Sequence, residues 1–240
     1  MNAPHSQPTR GRRGEDRRRE IVQAAREVFS ARGYGDASMA AIAEKVGVVE
    51  GALYKHFGSK RELLLEAARA HLAPNVAATR EELAGISGVR NRVRFVVWRH
   101  LKEFVDDPGM CRLIIQEIRP YDDYRGSALH EVIRESTRLL ERVLVEAEHA
   151  GELRPGVPTA VVRDLVYGGI EHLAFRVLSG RGTVDADLIA DQITDLVLGG
   201  VEGASKPESD GRLEAQIRRL ERVVEELSAT AKQKGSRHGT

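Results

Sequence analysis

Apolar residues in this chain recur at steps of three and four and almost nowhere alternate with polar ones. Ile21, Ala24, Ala25, Val28 and Phe29 form one such series, a spacing that lines one face of a helix rather than of a strand. The β-branched residues follow the same spacing, so the pattern predicts an all-α protein. Glycine and proline supply the punctuation. Gly33 and Gly35 are expected to end the first long helix near Arg32, because glycine readily takes the conformation that closes a helix. Pro108 suits the first turn of a helix running through Cys111 to Ile118, and Pro120 stops it. A long periodic run covers about 124–150 and breaks at the Gly-Glu-Leu-Arg-Pro-Gly-Val-Pro segment 151–158. Further helices are expected over about 92–104, 159–178 and 184–198.

The two ends read differently. Residues 1–14 are Pro, Gly, Ser and Arg without periodicity, a flexible basic arm. Residues 203–211 read as a polar linker. In 212–228, Leu213, Ile217, Leu220, Val224 and Leu227 step by four and three. Such an amphipathic, coiled-coil-like helix either zips against a partner helix or packs back on its own body. Residues 229–240 read as a disordered tail.

The chain has 240 residues, 41% of them hydrophobic, enough for one large domain or two modest ones. Its 37 basic and 36 acidic side chains nearly balance but are segregated. Residues 1–70 hold 13 basic and 9 acidic groups, 71–204 hold 16 and 21, and 205–240 hold 8 and 6. The basic N-terminal part is therefore the candidate for contact with a polyanion. The single cysteine, Cys111, can neither pair within the chain nor build a thiolate cage, and reads as a small buried hydrophobe. No apolar run approaches the roughly 18 residues of a membrane span, and no signal-peptide core follows the N-terminal charges. A cytoplasmic address without a membrane partner is the expectation. HExxH, Walker and GxSxG patterns are missing, and the eight histidines are scattered. No catalytic residue, metal site or cofactor is expected.

Residues 38–57 read SMAAIAEKVGVVEGALYKHF. Ser38 can cap a short helix by accepting a backbone N–H. Ile42 and Val46 share a face, and Ala43 is small, as needed where a second helix crosses closely. Gly47 sits where the chain must turn, and Val48 and Leu53 supply the apolar side of a second helix of roughly two turns. This is helix-turn-helix spacing, which presents the second helix to the major groove of DNA. Tyr54, Lys55 and His56 cluster as hydrogen-bond donors near its exposed side, Phe57 plugs the core, and Ser59 with Glu62 forms a capping box opening the next helix. Lys60 adds charge where helix-terminal N–H groups already favour an anion.

The stretch IAEKVGVVEGALYKHFGSKRELL resembles the signature of the tetracycline-repressor (TetR) family of bacterial transcription regulators. The match falls on Gly51, Leu53, Tyr54, His56, Phe57, Ser59, Lys60, Glu62 and Leu63. The resemblance implies a three-helix DNA-binding domain over 15–66 and a helical ligand-binding and dimerisation domain over 67–202. It further implies a homodimer on palindromic double-stranded operator DNA, most simply a repressor released by a small hydrophobic or amphipathic effector. Tyr54, His56 and Lys60 would hold phosphates, Lys55 would touch a phosphate or a base edge, and Ser38 would cap and meet the backbone. Val49 and Ala52 stand where hydroxyl residues are usual in this family, leaving Ala52 only apolar contact, for instance with a thymine methyl. The expected DNA-binding set is thus Ser38, Val49, Gly51, Ala52, Tyr54, Lys55, His56 and Lys60, with the arginines at 12, 13 and 17–19 as supplementary contacts to phosphate or the minor groove. For the effector, the aromatic and polar residues of the middle domain give Trp98, Leu101, Gln116, Arg119, Tyr167, His172 and Phe175, the apolar ones serving equally as plain core. A coiled-coil adaptor whose DNA-binding head is secondary is the alternative function.

Overall fold

The protein, seen in a computed structural model, is described over residues 10–201, and no strand occurs among them. The all-α expectation holds. The helices are α1 (Arg10–Asp36), α2 (Met39–Val46), α3 (Glu50–Leu53), α4 (Lys60–Ala84), α5 (Val89–Asp106), α6 (Pro108–Leu113), α7 (Ala128–His149), α8 (Thr159–Leu178) and α9 (Ala186–Val201). A π-turn over Ile114–Ile118 prolongs α6, and a 3-10 turn covers Asp122–Tyr124. The linker 203–211, the seam 212–228, the tail 229–240 and the first nine residues of the arm lie outside the described residues.

Several borders differ from expectation for local reasons. α1 takes in residues 10–14, starting before Asp16, and its first exposed turns carry the Arg17–Glu20 and Arg19–Asp16 pairs one helical turn apart. Gly33 interrupts it with φ 76°, at the expected end. α7 begins at Ala128 rather than near Tyr124, because Gly126 has φ 77° and the Ser127 hydroxyl accepts the His130 N–H at 3.1 Å. α9 starts at Ala186 because the Asp185 carboxylate accepts the N–H groups of Asp187 and Leu188. α3 is a single turn, shorter than the two expected, and the chain continues through Tyr54–His56 as a turn.

Two hydrophobic cores result. The first joins α1–α3 to the first half of α4 through Ile21, Phe29, Ile42, Leu53, Phe57 and Leu64, all essentially inaccessible. The second packs the rest of α4 with α5, α7, α8 and α9 around Val97, Leu101, Leu140, Leu144 and Ile170. α6 and its π-turn belong to both: Met110, Leu113, Ile114 and Ile118 enter the first core, and Cys111 the second. α4 also crosses between them, from Leu72 to Val76, and carries Pro74 at the crossing. A proline there cannot donate to the helical ladder, so α4 is softened where it leaves one core for the other.

Candidate functional site

The α2–α3 hairpin is built as its spacing demands. The Ser38 hydroxyl accepts the Ala41 N–H at 3.1 Å, and Gly47 turns the chain in the left-handed conformation (φ 76°, ψ 38°). The Val48 N–H then closes onto the Ala43 carbonyl at 3.0 Å. Ile42, Ala43, Leu53 and Phe57 are buried beneath. Val49 caps α3 without a side-chain hydrogen bond and is 77% exposed, an apolar group held out at the helix entrance. Gly51, Tyr54, Lys55 and Ser38 are exposed beside it, and Ala52, His56 and Lys60 are half-buried. Ser38, Tyr54 and Lys55 thus stand at the surface of a segment whose apolar residues are anchored beneath.

The next helix start completes that surface. Ser59 accepts the Glu62 N–H at 3.0 Å, while the Glu62 carboxylate reaches back to the Gly58 N–H at 2.7 Å, one residue earlier than the capping-box pattern suggests. The Lys60 ammonium lies 4.4 Å over the Tyr34 ring and 3.5 Å from the Gly35 carbonyl, which holds it at the α4 N-terminus where the helix dipole favours an anion. Arg18 has an internal role that its place among the arginines at 17–19 did not suggest. Its guanidinium donates to the His56 carbonyl at 2.9 Å and sits 4.2 Å over the Phe57 ring, so it holds down the turn that follows α3.

The second feature is an interior cavity of about 60 Å³ at the junction of the two cores. α4 contributes Leu72 and Val76, and α5 contributes His100, Glu103 and Phe104. α6 and its π-turn add Cys111, Ile114 and Ile115, with Arg119 just beyond, α7 adds Ile133, Ser136 and Thr137, and α8 adds Tyr167 and Glu171. The Tyr167 hydroxyl donates to the Ser136 carbonyl at 3.1 Å, and the Cys111 thiol to the Glu103 carbonyl at 3.3 Å. Burial pushes both the phenol and the thiol well above their usual ranges. Arg119 forms an ion pair with Glu171 at the partly exposed side of the cavity.

Of the seven residues singled out for an effector, the cavity brings together Arg119 and Tyr167. Trp98 stacks on Phe95 with ring centroids 6.4 Å apart, and Leu101 is buried in the second core. Gln116, His172 and Phe175 are exposed and do not line the cavity. His100, Glu103 and the π-turn isoleucines were missed because five helices bring them together. One signal was present: on the buried stripe Val93, Val96, Val97, Leu101, Phe104 of α5, His100 is a polar residue at a core position. Among the described residues no group of His, Cys, Asp or Glu is arranged to hold a metal, and no helix is long and apolar enough to cross a membrane.

Comparison with known proteins bears on both features. Residues 21–67 match the model of bacterial regulatory proteins of the tetR family, and residues 69–200 match that of the YsiA-like protein C-terminal region. The fatty acid metabolism regulator protein of Bacillus subtilis is 19% identical over 182 residues, 76% of this chain and 94% of that protein. The HTH-type transcriptional activator FasR of Mycolicibacterium smegmatis is 37% identical over 102 residues, 42% of this chain and 47% of that one. The transcriptional regulator FadR from Bacillus subtilis, solved in complex with stearoyl-CoA, shares the fold with a TM-score of 0.67 at 20% identity, covering 77% of this chain and 99% of that chain. Helix-turn-helix geometry at one end, a helical ligand-type domain at the other and family models matching both place the chain in the TetR family of bacterial transcriptional regulators.

Proposed function

We propose that this ligand-responsive DNA-binding regulator works as a homodimeric repressor that holds a palindromic operator and lets go when an acyl thioester fills its cavity. The observation that carries this reading is the double membership of α6. Ile114 is packed in the first core and also lines the cavity, next to Cys111 and Ile115. A cavity of about 60 Å³ has room for water but not for an acyl chain. Seating one requires the π-turn isoleucines to move, and α6 then carries the displacement to α1 and α4. Binding therefore shifts the population away from the DNA-competent arrangement. The acyl class is supported by a structural relative solved with stearoyl-CoA and by a relative named for fatty acid metabolism.

On DNA, two copies of α3 about 34 Å apart meet successive major grooves on one face of the duplex. Tyr54, His56 and Lys60 hold phosphates, Ser38 meets the backbone, and Val49, Gly51, Ala52 and Lys55 face the groove. The second copy is proposed to cover the outer face of α8 and α9. There Val161, Leu165 and Phe175 recur at helical spacing on α8, Leu188 and Leu196 do so on α9, and all five are exposed. Leu165 and Leu196 are 71% and 79% exposed, more apolar surface on one face than a solitary domain usually presents. Gly168 and Gly199 meet no neighbouring atom within 4 Å, so close approach of another helix is open.

The test is a titration of the protein on a labelled operator duplex with straight-chain acyl-CoA thioesters of eight to eighteen carbons, free CoA serving as control. Release by one range of chain lengths, and not by CoA, is the expected result. Tightening of the complex would replace repressor by ligand-dependent binder, and indifference to every thioester would remove the acyl class.

A further inference from the structure

The cavity is apolar along most of its wall, yet His100 borders it with neither ring nitrogen hydrogen-bonded. Nδ1 lies 3.4 Å from the Glu103 carboxylate without hydrogen-bond geometry, and Nε2 has no partner. The ring is fixed edge-on between Phe104, at 5.3 Å, and Tyr167, at 4.7 Å. The Tyr167 hydroxyl donates to the Ser136 carbonyl and makes no hydrogen bond to either imidazole nitrogen. A buried imidazole left unpaired opposes folding, and a hydrophobe of similar volume would serve a purely structural wall better. The lining is uneven in exposure. Arg119 and Glu171, 37% and 35% exposed, mark its more open side, while His100 and its neighbour Glu103 are 17% and 15% exposed, with both imidazole nitrogens inaccessible.

We propose that His100 is a specificity residue for an oxygen function carried at the inner, apolar end of the effector. This deepens the acyl-effector reading and rests on it. An amphipathic molecule entering past Arg119 places its charged head outside and its chain along Ile114, Ile115 and Phe104. The chain end then arrives at His100, where a hydroxyl or carbonyl oxygen supplies the hydrogen bond that no protein group provides. The preferred ligand is accordingly a chain oxygenated far from its thioester rather than a plain saturated one. The discrimination is worth about one hydrogen bond, because the plain chain leaves the imidazole without a protein or ligand partner.

The experiment measures binding of paired CoA thioesters of eight to sixteen carbons, each with and without a terminal hydroxyl, to the full-length protein and to His100→Leu. Melting temperatures of both proteins without ligand are recorded alongside. The hydroxylated member should bind wild type about tenfold tighter at its best length, on the scale of one well-made hydrogen bond. His100→Leu should lose or reverse that preference while still binding the plain chain, and should melt no lower than wild type. Equal affinities for the two members in wild type, or an unchanged preference in His100→Leu, would overturn the proposal. So would a His100→Leu protein that melts lower, because the imidazole would then be a structural element. If no thioester of either kind binds, the acyl reading fails. A His100→Leu protein that then melts higher would still support an unpaired ligand-seeking group, and one that melts lower would overturn it.

Discussion

A side chain on Gly109 would overlap Ser30, because the start of α6 lies directly against the carbonyl and hydroxyl of that residue on α1. The same contact is tied chemically. Asp107 accepts the Ser30 hydroxyl at 2.6 Å and the Met110 N–H at 3.0 Å, and the Arg26 guanidinium lies 3.5 Å from its other oxygen. The helix that lines the cavity is thereby clamped to the helix that supports the DNA-binding unit. Gly109→Ala should destabilise the protein by about 1–3 kcal/mol, the usual cost of overpacking. It should also weaken the effect of ligand on DNA affinity more than it weakens ligand binding. Denaturant unfolding together with paired DNA and ligand titrations checks both.

His71, on α4 beside the same cluster, predicts the acid response. Burial holds its pKa below the usual 6.5 and Arg26 adds to this, against the opposing pull of Asp107 and Glu103. Between that lowered value and 6.5 the unfolded chain takes up a proton that the folded chain refuses, so stability falls as pH drops through this window. Asp107 works in the same direction at lower pH. Although burial raises its pKa, hydrogen bonds from Ser30 and Met110 with the charges of His71 and Arg26 hold it below the ordinary value, and its contribution is lost as pH falls through the folded value. Urea midpoints should decline from neutral to mildly acid pH, and His71→Leu should flatten the first part of the decline.

Tyr54→Ala combined with Lys60→Ala should abolish operator binding and leave the helical signal unchanged with only a small drop in melting temperature, since Tyr54 is exposed and the half-buried Lys60 gives up only its place over the Tyr34 ring. Lys60→Ala alone should reduce the slope of log affinity against log salt by about two per dimer, one for each protomer's lost phosphate contact. Leu53→Ala makes the contrast: its side chain is completely buried, and truncation should cost about 2–5 kcal/mol. Circular dichroism and fluorescence anisotropy separate the two kinds of loss.

Leu165→Glu with Leu196→Glu places charge on the outer face of α8 and α9 and should give monomers by light scattering. Removing 205–240 should leave a dimer. Monomers from the truncation and dimers from the double variant would move the interface to the C-terminal seam.

The hairpin was legible because its chemistry is local. Ser38, Gly47, Leu53, Phe57 and Ser59 sit within about two dozen consecutive residues, and each position is fixed by a turn, a cap or a close crossing. Helix existence was legible from periodicity, and the starts of α7 and α9 were moved by the side-chain caps Ser127 and Asp185. The cavity was not legible, since Leu72, His100, Ile114, Ser136 and Tyr167 meet only when five helices pack. Aromatic character drew attention to Trp98 and Phe175, one stacked on Phe95 and the other exposed. The Gly109–Ser30 contact joins positions far apart in sequence and leaves no periodic trace.

The whole account depends on how the purified full-length protein chooses DNA. Selection from a random duplex library at a fixed ionic strength of about 0.15 M should yield an inverted repeat whose half-sites lie one helical turn, or a multiple of it, apart. Wild type should enrich it, and the Tyr54→Ala, Lys60→Ala double variant should not. Enrichment of no sequence, with only weak and salt-sensitive binding, would contradict a regulator that recognises an operator through α3.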